Sequence, residues 1–329
     1  MSRILHVTNA FPTCKSPDYG IFIKEQVESL DNLVDTNHIY FINAREKGVS
    51  EYFKSIFRLR LVLKENKYDI VHCHHIFSFY VALLTFSLHR FKTVTSFLNQ
   101  PENEIKLRIP SFLKEFMYLL VKKNSDRVIL KNSLSSKQIS DPKIIQLPNG
   151  VDTEKFHLID STYAKEKLGL NVNRNYILFV SSKNPDRKQK RRDLFLKMID
   201  NLQFRHSNGK FYPLEISGVS RDEVIYYFNA ACCHLLTSDY EGSPNSVKEA
   251  LACGVPVVSR AVGNVEQMIS GSEECYIFNE HKIDAAIDFI ADNYPLPEKS
   301  RNNIQAILKE KKLDMGNIAV KLNKIYNEL

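Results

Sequence analysis

The feature that most limits how this chain can fold is a repeated alternation of a short β-branched run, a loop and a helix-length stretch. ILHVTN (Ile4 to Asn9) is the first such run. A loop through Pro12 and Pro17 to Gly20 follows, then helical spacing from Ile21 to Leu30. HIYFI (His38 to Ile42), DIVHCHH (Asp69 to His75), KTVTSF (Lys92 to Phe97) and RVILK (Arg127 to Lys131) continue the pattern. Between them lie a basic amphipathic helix over Tyr52 to Glu65 and further helices near Tyr80 to Leu88 and Ser111 to Lys122. Strands separated by helices of this length form βαβ units, and hence a parallel sheet. At KIIQLPNGVD (Lys143 to Asp152) the strand stops at Pro148 and Asn149-Gly150 marks a turn. The alternation then restarts. YILFVSS (Tyr176 to Ser182) opens a second set, with strands fitting Tyr212 to Ser217, His234 to Ser238, Pro256 to Ser259 and Tyr276 to Phe278. A single core stops growing at about 250 to 300 residues, and the chain has 329. The expectation is therefore an α/β protein of two Rossmann-like domains, residues 1–153 and 154–310, whose parallel sheets face a central cleft. Residues 311–329 form a helix packing near the domain junction. In such sheets ligand groups come from the loops after the strands.

Composition narrows the function. Hydrophobic residues make up 43% and charged residues 25%, an ordinary globular balance. The net charge of +7 suits anionic ligands, but no zinc finger, RNA-binding strand motif or long basic tail points to nucleic acid. The six cysteines contain no C-x-x-C pair and sit mostly in apolar runs, so free thiols in a reducing, cytoplasmic setting are expected. The apolar tract Phe77 to Leu88 is too short to span a bilayer. Ile105 to Lys123 mixes Phe112, Phe116 and Met117 with Lys106, Arg108 and Lys114. Such a segment packs its apolar side into the first domain or lies on an anionic membrane.

The richest segment is Asp239 to Glu249, DYEGSPNSVKE, which follows the strand HLLTS. Ser243 reads as a helix N-cap and Pro244 as the first helical residue. The N–H groups of Asn245, Ser246 and Val247 then lie in a first turn, where they lack partners within the helix and can hold a phosphate. Glu241 on the loop and Glu249 on the helix supply carboxylates suited to accept hydrogen bonds from sugar hydroxyls; the segment fits equally an acidic loop before a capped surface helix. The next residues, ALACGVPVVSRAVGNVEQMI, give a helix end at Gly254, a Pro256-led strand and a loop at Gly263.

The run E-G-S-P-N-x-x-K-E-A-x-A-C-G-V-P-V-V-S resembles the signature of the family 4 retaining glycosyltransferases, which have the two-domain GT-B fold. The PNGVD and GNVEQ turns and the glycine-bearing first loop extend the resemblance over most of the chain. It implies that Glu241 and Glu249 end the family's E-x7-E element, Glu241 beside the donor sugar and Glu249 on the nucleotide ribose. Backbone amides near Ser246 and Val247 would meet the distal phosphate. In the basic loop SSKNPDRKQKRRDLF, whose cations include Lys183, Arg187, Lys188, Lys190, Arg191 and Arg192, the resemblance selects Arg187 and Lys190 for the pyrophosphate. It sets Gly20 against donor phosphate or acceptor.

Among the histidines at the end of DIVHCHH, alternation puts His72 and His74 on one face. The strand-end position favours His74 as a cleft residue. The spacing lacks a fourth ligand, so no metal is expected. The histidine that the family carries after the next strand is absent: Phe97 or Leu98 stands there, with Asn99 nearby. The second domain is also shortened between Leu202 and His234. The implied reaction is metal-independent transfer of a sugar from a nucleoside diphosphate sugar, with retention. The acceptor would be a glycan or lipid-linked molecule in cell-envelope polysaccharide synthesis, at the inner face of the membrane. A sugar-nucleotide 2-epimerase and an inactive protein of the same fold are the alternatives.

Overall fold

A computed structural model describes residues 2–99, 104–105, 109–181, 187–205 and 211–329. The chain divides into two compact units, residues 1–150 with 315–329, and residues 151–314. The boundary thus falls at the Gly150 turn, and the last helix, Met315–Asn327, belongs to the first unit.

Unit 1 holds a six-stranded sheet of β1 (Arg3–Thr8), β2 (Thr36–Phe41), β3 (Ile70–His74), β4 (Lys92–Phe97), β5 (Arg127–Leu130) and β6 (Ile144–Gln146). Their order is β2-β1-β3-β4-β5-β6, every pair parallel. All five residues of β3 are buried, as expected for a strand covered on both faces. Crossovers between parallel strands are right-handed, so the direction of each step along the sheet selects the face its helix covers. The step from β1 to β2 runs one way, and Leu30 and Val34 beyond its helix (Ile21–Glu28) pack with Ile318 and Leu322 of the terminal helix on one face. The next three steps run the other way. Their helices, Ser50–Glu65, Ile76–Leu83 and Ser111–Asn124, bring Leu59, Leu63, Phe79 and Val121 to the opposite face.

Unit 2 holds β7 (Asn175–Val180), β8 (Phe211–Ile216), β9 (Ala231–Leu236), β10 (Val257–Arg260) and β11 (Tyr276–Phe278), ordered β11-β10-β9-β7-β8 and again parallel. Between Leu202 and His234 it has β8 and the helix Val224–Ala230. The helices Arg192–Arg205 and Ile283–Asn293 cover one face through Phe195, Met198, Ile287 and Ile290. The helices Asn245–Ala252 and Glu298–Glu310 cover the other through Val247, Leu251, Ile304 and Leu308. The central strands β7 and β9 therefore end side by side, and the loops after them meet.

Candidate functional site

Those two loops are joined by backbone and side-chain hydrogen bonds. The Thr237 hydroxyl donates to the carbonyls of Lys190 (2.9 Å) and Arg191 (3.1 Å). The Asp239 amide donates to the Gln189 carbonyl (2.9 Å), and the Gln189 amide side chain returns a bond to the Tyr240 carbonyl (2.6 Å). On this frame the Lys190 ammonium meets Glu241 Oε1 at 2.8 Å, both side chains being 13% exposed. Ser238 donates to the same oxygen at 2.8 Å. Arg187 is turned to Gln189 Oε1 (2.7 Å). Lys183, in the same basic loop, lies outside the described residues, as do Lys106 and Arg108 of the earlier segment.

Two further arginines, Arg191 and Arg260, brace the loop. Arg191, in the left-handed region at φ 52°, binds Asp193 and Asp239, and both carboxylates push its guanidinium above the usual arginine range. Arg260, at the end of β10, pairs with Asp239 and with Glu280 (2.9 Å). Arg192 makes a two-point contact with Glu215 (2.6 and 2.7 Å). Gly263 explains the GNVEQ turn. A Cβ there would sit 2.1 Å from the Gly242 carbonyl oxygen, and its φ of +58° suits glycine. The turn thus seats directly against the E-G-S-P loop.

The helix begins at Asn245 with Pro244 in the cap position, which corrects the reading of Ser243 as cap. The Ser243 hydroxyl accepts instead from the fully buried ammonium of Lys248 (3.1 Å). Proline can hold the cap's extended backbone but has no side-chain oxygen to give the first turn. The Val247 amide, expected to be available, donates back to the Pro244 carbonyl at 3.3 Å. The Asn245 side-chain oxygen is buried with no hydrogen-bond partner among the described residues. Ser246 points inward. A carbonyl can only accept, so His234 Nδ1–H donates to the Leu178 carbonyl (3.1 Å), and its Nε2 accepts from the Ser246 hydroxyl (3.0 Å). Burial lowers that imidazole to about 4, which keeps it neutral and keeps Ser246 in place. Neither the depth of His234 nor its partner was legible from its neighbours in the strand.

Glu249 is nearly buried and pairs with Arg221 at 2.7 Å. The Arg221 guanidinium lies 4.7 Å from the Phe156 ring centroid, a cation–π contact that fixes its plane. Arg221 sits in the loop after β8, at a position no sequence motif singled out. Glu241, Lys190, Arg187, Asn245, Ser246, Val247 and Glu249 all lie in unit 2.

Gly20 and His74 lie in unit 1. Gly20 has φ 74°, and a Cβ would fall 2.3 Å from the Ala10 carbonyl, so the loop after β1 closes only on glycine. His74 is fully buried: its Nε2 is 2.9 Å from His6 Nδ1, and its ring stacks on His72 at 4.1 Å. His72 in turn contacts the Tyr326 hydroxyl (2.6 Å) and the Ser96 hydroxyl (2.7 Å). Burial lowers His6 to about 3 and holds His72 and His74 well below the ordinary histidine value. The ligand atoms of His6, His72 and His74 lie within 4.8 Å of one another, close enough to share an ion. Against that, both His72 nitrogens already face hydroxyls. A fourth base, Lys131, is fully buried beside them, lowered to about 7 by burial. A neighbouring ammonium disfavours a dication. Where the expected histidine is missing, Phe97 is buried and the Leu98 amide donates to the buried Glu104 (3.1 Å). Burial raises that carboxyl to about 8, and His75 Nε2 faces it at 3.6 Å.

Comparisons agree with this architecture. Residues 17–155 match the family model described as Glycosyltransferase Family 4, and residues 215–310 the one described as Glycosyl transferases group 1. An Escherichia coli relative, UDP-Gal:alpha-D-GlcNAc-diphosphoundecaprenol alpha-1,3-galactosyltransferase, is 22% identical over 308 residues, which cover 82% of this chain and 78% of that one. Among solved structures, Anabaena Alr3699/HepE in complex with UDP and glucose superposes with a TM-score of 0.71 at 13% identity, covering 100% of both chains. Sucrose-phosphate synthase from Thermosynechococcus elongatus gives 0.71 at 14% identity, over 99% of this chain and 98% of that one. At such identities the structures share the fold, which is GT-B.

Proposed function

We propose that this GT-B-fold glycosyltransferase moves a sugar, with retention at the anomeric carbon, from a nucleoside diphosphate sugar to a glycan or lipid-linked acceptor of the cell envelope. The observation that carries the reading is the Lys190–Glu241 pair, held by the joined loops beside the start of the Asn245–Ala252 helix. A mobile cation paired with a carboxylate can exchange partners when substrate arrives: the ammonium turns to the diphosphate and the carboxylate to a sugar hydroxyl. The amides of Asn245 and Ser246 and the Asn245 side chain extend the polar wall. Arg187 adds a second cation, and Glu249, oriented by Arg221, serves the ribose. Negative charge builds on the diphosphate oxygen as the glycosidic bond breaks, so fixed positive groups there lower the barrier without a metal ion. The acceptor oxygen attacks from the face the diphosphate leaves, and its proton passes to that leaving oxygen.

The names of the relatives support this reading, one naming a UDP-galactose donor with a diphospholipid acceptor, another a complex with UDP and glucose. We assign Gly20 to shaping the first loop toward the donor. His74, enclosed with His6 and His72, is assigned a supporting role within unit 1. The six cysteines are free thiols, which supports a reducing, cytoplasmic setting. No helix of the described residues is long and apolar enough to cross a membrane, and contact with an anionic membrane surface completes the proposal. The test is nucleotide release from a panel of UDP-, GDP- and ADP-sugars with and without envelope extract, followed by the anomeric configuration of the product. Transfer with retention is expected. An inverted product, an epimerised sugar formed without acceptor, or no nucleotide binding at all would each reject the reading.

A further inference from the structure

The helix Ser50–Glu65 is apolar on two sides: Tyr52, Ile56 and Val62 pack with its buried leucines on the core, and a second apolar stripe is left outside. The side toward the core carries Glu51, Ser55, Leu59 and Leu63, all buried. The side toward solvent carries Val49, Phe53, Phe57 and Leu61, which are 72%, 66%, 72% and 56% exposed. These four recur at every fourth position and so form one stripe. Arg60 and Lys64, seven and eleven residues after Phe53, fall on the same arc, with Lys54 and Arg58 at its edge. Against these four exposed cations the helix exposes a single carboxylate, Glu65; Glu51 is turned inward and bound to Arg58 at 2.8 Å.

The sheet topology enlarges this stripe into a face. The helices Ser50–Glu65, Ile76–Leu83 and Ser111–Asn124 lie on one side of the unit 1 sheet, because their three crossovers step in the same direction. The last two are tied by the Tyr80 hydroxyl, which donates to the Met117 carbonyl at 2.9 Å. Phe86, just past the middle helix, is 75% exposed, and Phe112 and Phe116 on the third are 70% and 54% exposed. The first and third helices thus expose aromatic side chains, and the segment just after the second adds Phe86.

We infer that this face docks on an anionic phospholipid bilayer. Exposed aromatic and aliphatic side chains interleaved with Lys and Arg are what an interfacial helix presents, the rings entering the acyl boundary and the cations reaching the headgroups. A protein partner fits less well, since the core of such an interface is depleted of lysine, and here Lys64 lies within the apolar arc. The inference deepens the membrane contact proposed above. It stands on unit 1 alone, so it can fail without the transfer reaction failing, and the reverse.

The test is co-sedimentation of the full chain with vesicles of phosphatidylglycerol and phosphatidylcholine, against vesicles of phosphatidylcholine alone, at low and high salt. The wild type is expected to pellet with the anionic vesicles and to be released by salt. Phe53→Ser/Phe57→Ser and Arg60→Glu/Lys64→Glu are each expected to lower partitioning at least about tenfold, with unchanged circular dichroism and unchanged nucleotide binding. Three outcomes overturn the inference: folded wild type left in the supernatant of anionic vesicles, partitioning untouched by both variants, or a solution dimer that the serine variant converts to monomer.

Discussion

The ammonium of Lys190 and the carboxylate of Glu241 meet at 2.8 Å although they are fifty-one positions apart, because adjacent strands β7 and β9 end together and hydrogen bonds of Thr237, Asp239 and Gln189 join their loops. Glu241→Gln is expected to keep the fold and lower kcat by about a hundredfold, as is Lys190→Ala. Groups that act as a unit are not additive, so the double variant should be little worse than either single one. Steady-state kinetics on the three proteins measures this, and losses that simply multiply would separate the two roles.

Glu249 and Arg221 form the second pair. Arg221→Ala leaves a nearly buried carboxylate without its cation and is expected to cost about 2 to 3 kcal/mol of stability. Arg221→Ala/Glu249→Gln should recover part of that loss. Urea unfolding of the four proteins completes the cycle. Glu249→Ala should also weaken nucleotide binding by about tenfold or more, read by calorimetry.

Gly263→Ala drives a methyl group to 2.1 Å from the Gly242 carbonyl oxygen. The loop that carries Glu241 must move, so both stability and nucleotide affinity should fall, stability by about 2 kcal/mol or more. Gly271→Ala is the control: its Cβ meets nothing within 4 Å. It shares the positive φ but not the clash, and it should leave nucleotide affinity unchanged.

The buried bases of unit 1 set its response to pH. The histidine values of the folded protein lie below the ordinary 6.5, so the unfolded chain binds more protons below that pH and stability falls as pH drops from about 6.5 toward 3, the value for His6. Glu104, raised to about 8, acts in the opposite sense: its contribution is present at low pH and is lost as pH rises from 4.5 to 8. One carboxyl against three imidazoles leaves a net loss on acidification below 6.5. Lys131, lowered to about 7, destabilises the fold fully below pH 7, and this penalty fades as pH rises toward 10.5. Its ammonium is fully buried with no hydrogen-bond partner among the described residues, so Lys131→Met should stabilise the protein at pH 7 by about 2 kcal/mol. Urea midpoints between pH 5 and 9 would show both effects, and a Lys131→Met variant that is less stable at pH 7 would give the ammonium a partner in solution.

What the sequence determined by itself was periodic or local. The strand–helix alternation set two parallel α/β halves, since period and element length are written in neighbouring residues. Gly254, Gly263 and the run from Glu241 to Glu249 placed the candidate loop after β9. Ser243 was misread as a cap because capping depends on backbone angles that a Ser-Pro pair leaves open. Tertiary structure decided which distant groups meet: Lys190 with Glu241, Arg221 with Glu249, His6 with His74, each brought together by strand order rather than by spacing. It also decided which side of each helix is covered. The spacing of Phe53, Phe57, Phe112 and Phe116 marked amphipathic helices, but a hydrophobic period does not state whether its stripe faces a sheet or the solvent. The direction of the crossovers and the volume already filled by Leu59, Leu63, Phe79 and Val121 turned those phenylalanines outward.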